Sequence, residues 1–227
     1  MTTEKETREE KQSEAETLIA VVMDRSGSMQ DLRKDTIGGY NAFLSDQKGI
    51  DVPASLTLVQ FSTDYQIVHD AEALVNVPDL NDDTYKPNGG TALLDAIGRT
   101  VISIERKIKE RSEKPEKVIF VIITDGEENS SREFDRDNIF KMISAKQEEE
   151  NWDFVFIGAN QDAIQEAGNI GIRAANSLNY AASDIGTKAM YKAMSRNMTS
   201  YRKCASVKSL DFFAAEDREE QKDLMDK

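Results

Sequence analysis

Three short apolar runs recur at wide intervals in this chain, and they constrain its fold more than any other feature. They are Leu18–Met23 (LIAVVM), Lys117–Thr124 (KVIFVIIT) and Trp152–Ile157 (WDFVFI). A strand with one wet face alternates polar and apolar residues, whereas an unbroken run of strand length is buried on both faces. Such strands need helices above and below them. The intervening stretches supply them: Asp31–Gln47, Thr91–Arg111, Phe134–Glu150, a short Gln161–Ala167 and a final Ser183–Cys204 carry helical patterns. In the second of these, Leu94, Ile97, Val101, Ile104 and Ile108 form one apolar stripe. Met190, Met194 and Met198 are spaced by four and are expected in the core. Gly38-Gly39 inside the first helix costs stability, and a close approach of that helix to the sheet is the expected compensation.

Ser55–Phe61 (SLTLVQF) alternates like a strand, and Gln66–His69 follows after a turn at Thr63-Asp64, which predicts a hairpin. Gly171–Ala174 is expected to begin an edge strand. Strands alternating with helices predict an α/β fold, a mostly parallel sheet with helices on both faces. Right-handed crossovers then bring the strand-to-helix loops to one edge, where a site is expected.

Charge narrows the function. The 29 Lys and Arg against 42 Asp and Glu give a net −13. Residues 1–16 hold six acids and three bases, and residues 211–227 hold seven acids and three bases, so the ends carry −7 of that total. The expected division is an acidic segment 1–16, a body 17–204 and an acidic segment 205–227, in which Leu210, Phe212 and Phe213 form an apolar anchor. No basic stripe is present, so no nucleic-acid partner is expected. No apolar run approaches the ~20 residues of a membrane span. Residues 1–17 lack an apolar signal-peptide centre. With the single Cys204, this leads to an expected cytoplasmic location.

Three of the junctions after strands are chemically loaded. Asp24-Arg25-Ser26-Gly27-Ser28 is a D-x-S-x-S run after the first strand, Gly89-Gly90-Thr91 precedes the long helix, and Thr124-Asp125-Gly126 follows the second buried strand. A parallel sheet would gather all three. Their carboxylates and hydroxyls are hard donors with no imidazole or thiolate, which favours Mg²⁺, with Mn²⁺ or Ca²⁺ as alternatives, over zinc or copper. Two carboxylates at most neutralise a divalent ion, so an Asp or Glu from another molecule could complete its shell. Capping is the competing explanation for Ser28 and Thr91, and a turn for Asp125-Gly126. It does not explain why all five polar residues should meet.

In this order and context, the constellation resembles the metal-ion-dependent adhesion site (MIDAS) of the von Willebrand factor A domain family, over about residues 17–204. IGGYNAFL (37–44) and FIGANQDA (156–163) are similar to segments of short, stand-alone bacterial and phage members. The resemblance implies a doubly wound sheet with one short antiparallel edge strand. It implies Asp24, Ser26, Ser28, Thr91 and Asp125 as metal ligands, with Arg25, Gly27, Gly90, Gly126, Glu127 and Asn160 at the rim beside Glu128 and Asn129. The implied function is a non-enzymatic adaptor that captures an acidic residue of a partner protein through Mg²⁺. The alternatives are a self-assembling homo-oligomer that uses its own acidic ends and a Mg²⁺-dependent phosphate-ester hydrolase. The hydrolase lacks a second carboxylate at Ser26, and no G-x-S-x-G, P-loop or G-x-G-x-x-G run is present. His69 is expected on an edge strand and Cys204 inside a helix, buried and inert.

Overall fold

A computed structural model describes residues 16–159, 162–204 and 211–226. Leu210 and nearly all of the acidic segment 1–16 lie outside the described residues. The elements run β1 (Thr17–Asp24), α1 (Arg33–Lys48), β2 (Ala54–Phe61), β3 (Tyr65–Ala73), α2 (Leu93–Glu110), β4 (Lys117–Thr124), α3 (Arg136–Glu149), β5 (Trp152–Ala159), α4 (Ala163–Asn169), β6 (Ser177–Tyr180), α5 (Asp184–Lys203) and α6 (Ala215–Met225). The six strands form one sheet in the order β3-β2-β1-β4-β5-β6. Every neighbouring pair is parallel except β2 and β3, the expected hairpin.

The two buried faces follow from the period of two along each strand. Ile19, Val21 and Met23 of β1 face α1 and α5, where Tyr40, Phe43, Met194 and Met198 complete a core. Leu18, Ala20 and Val22 face the other way, onto Leu94, Ile97, Val101 and Ile104 of α2 and onto Ile139 and Ile143 of α3. All eight residues of both β1 and β4 are buried, as their unbroken apolar runs require. Among the described residues no helix is long and apolar enough to cross a membrane.

Several expectations are corrected. The edge strand is Ser177–Tyr180, not Gly171–Ala174. Gly171 sits at φ +86°, in a turn against Phe140 and Ser144, and the chain needs six further residues to reach β5. Gly39 does allow a close approach, but of helix to helix: a Cβ there would lie 2.2 Å from the Tyr191 ring of α5. Gly38 faces open space. Cys204 is the C-cap of α5 and is half-buried.

After α5 the chain returns. Phe212 and Phe213 pack edge-on at 5.0 Å within the core, and the Phe213 amide donates to the Ala175 carbonyl. Helix α6 has no apolar stripe and is held by polar side chains. Gln221 donates to the Gly186 carbonyl and accepts from the Ala181 amide, while Asp217 pairs with Arg196 and Asn197.

Candidate metal centre

The parallel order places the ends of β1 and β4 side by side, with Met23 opposite Ile123. The residues that follow therefore emerge together. Asp24 is fully buried, and Ser26, Thr91 and Asp125 are 2%, 3% and 8% exposed. Ser28 is exposed. The five lie in one linked cluster. Asp24 accepts from the Ser26 amide at 2.6 Å, the Ser26 and Ser28 hydroxyls are 3.0 Å apart, and Ser28 donates to Asp125 at 2.7 Å. Thr91 joins across Gly126: a Cβ on that glycine would lie 3.2 Å from the Thr91 hydroxyl and 3.4 Å from that of Ser28. The glycine leaves room between these oxygens that a side chain would fill.

Capping does not account for the hydroxyls. Ser26 precedes a single 3₁₀ turn (Gly27–Gln30) without a side-chain cap, and α2 is preceded by Ala92. Thr91, expected to open that helix, stands two residues before it. Its amide donates to Asn129 Oδ1, and its carbonyl accepts from the Asn129 and Ser130 amides. Asn129 and Glu128 are thus clamps, not loose rim residues. The Glu128 carboxylate binds the Leu94, Ser130 and Ser131 amides and the Ser131 hydroxyl, tying the β4–α3 loop to the start of α2.

Two further supports are not among the expected ligands: Thr124 stands in the sequence only as the start of the Thr-Asp-Gly run, and Tyr85 has no signal beyond its residue type. Thr124 donates to the second oxygen of Asp24 at 2.6 Å, and the buried Tyr85 hydroxyl donates to the Asp24 carbonyl at 2.6 Å. Tyr85 comes from a loop whose role is visible only once the chain folds back.

The backbone closes the frame. The Gly27 amide donates to the Gly89 carbonyl and the Asn88 amide to that of Arg25. Gly89 is at φ +72°, which favours glycine. A Cβ on Gly90 would lie 2.4 Å from the Ser130 hydroxyl. The Arg25 guanidinium turns aside to Asn88 at 3.0 Å. Glu127 is exposed, and Asn160 lies outside the described residues.

The electrostatics are unbalanced. Burial pushes the Asp24 carboxyl up to about 6, opposed by the hydrogen bonds from Thr124 and Ser26 and aided by the charge of Asp125. Burial also raises Asp125, with the Ser28 hydroxyl opposing it. Among the described residues, neither carboxylate has an ion pair with Lys or Arg. A buried carboxylate without a cation is costly. An all-oxygen set with two such carboxylates suits a hard divalent cation. Among the described residues no three His, Cys, Asp or Glu side chains form a metal cage. Any cation here would therefore depend on the hydroxyls and on ligands from outside.

Fold and site together define a doubly wound α/β domain with its polar site on loops at the carboxyl edge of the parallel strands. The model of the von Willebrand factor type A domain matches residues 19–193, and the chain belongs to that family. Comparison with curated protein sequences gave no match. Among solved structures the chain is similar in fold to the pilus adhesin SpaC from Lactobacillus rhamnosus GG (TM-score 0.63, 13% identity, 84% of this chain and 31% of that one). It is also similar to proximal thread matrix protein 1 from the mussel byssus with a zinc-occupied MIDAS motif (0.56, 16%, 82% and 46%). A third is a von Willebrand factor type A protein from Catenulispora acidiphila (0.54, 14%, 82% and 43%). The chain thus spans less than half the length of each.

Proposed function

We propose that this protein is a metal-dependent protein-binding domain that captures an acidic residue of a partner through a divalent cation, with Mg²⁺ the preferred ion. The observation that carries this reading is the pair of buried carboxylates, Asp24 and Asp125, that converge among hydroxyls with no cation of the chain's own among the described residues. Family membership supports it, as do an adhesin and a MIDAS-bearing matrix protein among the structural neighbours.

Asp24, Ser26, Ser28, Thr91 and Asp125 would hold the ion. A divalent cation bound there supplies an electrophilic coordination position for a carboxylate. Thr124 and Tyr85 fix Asp24 from behind, and Asn129 fixes Thr91, so the oxygens are held before any ligand arrives. Mg²⁺ is preferred over the zinc of the mussel protein because every donor here is a hard oxygen. The role is binding rather than catalysis, in a cytoplasmic setting as the lone cysteine suggests.

Calorimetric titration with Mg²⁺, Mn²⁺ and Ca²⁺ tests the site, and affinity capture from the native host with and without EDTA tests the partner. Asp24→Ala is expected to abolish both the titration heat and EDTA-sensitive capture while the circular dichroism spectrum is kept. An unfolded variant would make Asp24 structural, and capture insensitive to EDTA would end the metal-dependent reading.

A further inference from the structure

The Gly38-Gly39 pair of α1 contains one glycine that the chain's own packing does not explain, and that glycine lines a cavity. Glycine inside a helix is destabilising relative to alanine. Gly39 has a reason within the chain, since a Cβ there would lie 2.2 Å from the Tyr191 ring. Gly38 has none: it is exposed, and a Cβ there would meet nothing within 4 Å. Both line a cavity of about 430 Å³ in the seam between α1 and α5, which shares no residue with the oxygen cluster.

The cavity combines two kinds of surface. Gly38, Gly39, Ala42, Phe43 and Tyr191 supply small or aromatic surface. Lys34, Lys188 and Lys192 line it as well, with Asp35 and Asp46, so its own residues carry three positive charges against two negative ones. Lys188 lies 3.8 Å from Asp35 and 2.9 Å from Asp184, and Asp46 accepts from the Ser195 hydroxyl at 2.6 Å. Lys34 and Lys192 are exposed, and among the described residues neither has an ion pair. The seam also holds polar groups that the chain does not use. Tyr191 and Thr187, about one turn apart on α5, are buried, and neither hydroxyl has a hydrogen-bond partner among the described residues.

A concave, largely apolar space of ~300–1,000 Å³ with a few polar groups is the usual form of a small-molecule site. Aromatic rings suit a flat apolar body, and a glycine lets that body approach the helix backbone. The unpaired ammonium groups suit an anion. One excess positive charge matches a carboxylate better than a phosphate monoester, which carries about −2. We propose that the α1–α5 seam binds a small organic carboxylate with a flat apolar body. Gly38 leaves room for that body, and Lys34 and Lys192 meet its charge.

The test is an NMR titration of the full chain, followed at its backbone amides, with 2-naphthoate as the probe and its uncharged methyl ester as the control. EDTA is present throughout, so that no metal-held carboxylate contributes. The expected result is a saturable shift of the Gly38, Gly39 and Ala42 amides by 2-naphthoate, with a Kd of about 1 mM or tighter. The ester should bind about fivefold more weakly, and Lys34→Gln/Lys192→Gln should bring the acid down to the affinity of the ester. Gly38→Leu fills the cavity from an exposed helix position, so it should keep the urea midpoint and weaken 2-naphthoate about tenfold. Equal binding of acid and ester would overturn the choice of a carboxylate. No saturable shift, shifts confined to another part of the chain, or a folded Gly38→Leu that binds as the native chain does would overturn the cavity. Both lysines are exposed, so their variant decides the matter should Gly38→Leu fail to fold.

Discussion

The two edges of this sheet bury charge of opposite sign in opposite ways. At the carboxyl edge lie Asp24 and Asp125, with hydroxyl and amide donors but, among the described residues, no cation. At the amino edge lie Lys117 and Arg202, 5% and 3% exposed, and no carboxylate pairs with them among the described residues. Yet the chain's own carbonyls meet both cations, although the buried Arg202 Nε is left without a partner. The Lys117 ammonium donates to the Tyr201, Arg202 and Cys204 carbonyls at the end of α5 and sits 5.8 Å above the Tyr201 ring. Arg202 donates to the Gln47 carbonyl and side-chain oxygen and to the Val52 carbonyl. A helix C-terminus presents unsatisfied carbonyls and partial negative charge, so these cations complete the chain's own fold. At the other edge hydroxyls and amides meet the carboxylates, but among the described residues no cation does. The comparison suggests how to tell a structural buried charge from one reserved for a ligand: ask whether the chain's own dipoles finish the job.

The largest expected effect comes from breaking the closed edge. Lys117→Met keeps the stem and removes the donor, leaving three carbonyls at the end of α5 without it. The expected loss is about 4 kcal/mol in urea unfolding, since unsatisfied buried groups cost about 1–3 kcal/mol each and water can reach some of them. Mg²⁺ should not change that difference. A loss that Mg²⁺ rescued would mean that the two edges are coupled and the contrast is false.

The open edge should show itself through pH. Burial holds the Asp24 carboxyl at about 6 against 3.8 in a free chain. A raised acid contributes stability that is fully present below about 4 and is lost as pH rises through about 6. Without metal, the chain should therefore lose about 2 kcal/mol between pH 4 and 8 relative to Asp24→Asn, which cannot titrate. Saturating Mg²⁺ should remove that loss, because a cation favours the ionised form. Denaturant curves of both proteins across that range, with and without Mg²⁺, measure it. If the two proteins track each other without metal, the charge of Asp24 is already compensated.

Much of this was legible in the sequence, for a physical reason. Strands buried on both faces have no choice of residue, so LIAVVM and KVIFVIIT announce themselves, and the polar residues that end them stand out. The misses came where tertiary context decides. Ser177–Tyr180 is half polar and becomes a strand only because β5 offers it an edge. The α6 sequence carries no stripe, because Asp217, Arg218 and Gln221 dock it through hydrogen bonds instead of apolar area. Gly39 makes its approach to Tyr191, a contact 152 residues away in sequence. Tyr85 looks like an ordinary loop residue until the fold aims it at Asp24, and the supporting bonds of Thr124 and Glu128 appear only once their neighbours are in place.

The smallest effect is the most discriminating. Ser28 is exposed, and its hydroxyl lies between Ser26 and Asp125. Ser28→Ala removes two part-buried hydrogen bonds at an exposed residue where water can replace them, so the metal-free chain should change by no more than about 0.5 kcal/mol in urea. Tyr201→Phe at the amino edge also removes one hydroxyl, which donates to Asp153 at 2.7 Å, and should cost about 1 kcal/mol. If the oxygens at the carboxyl edge serve a cation, their order should reverse in Mg²⁺ titrations. Ser28→Ala should weaken the ion about tenfold, equivalent to 1.4 kcal/mol, and Tyr201→Phe should leave its affinity unchanged. Equal affinities in the two variants would place the Ser28 hydroxyl among the chain's internal hydrogen bonds, and the carboxyl edge would then be as self-contained as the amino edge.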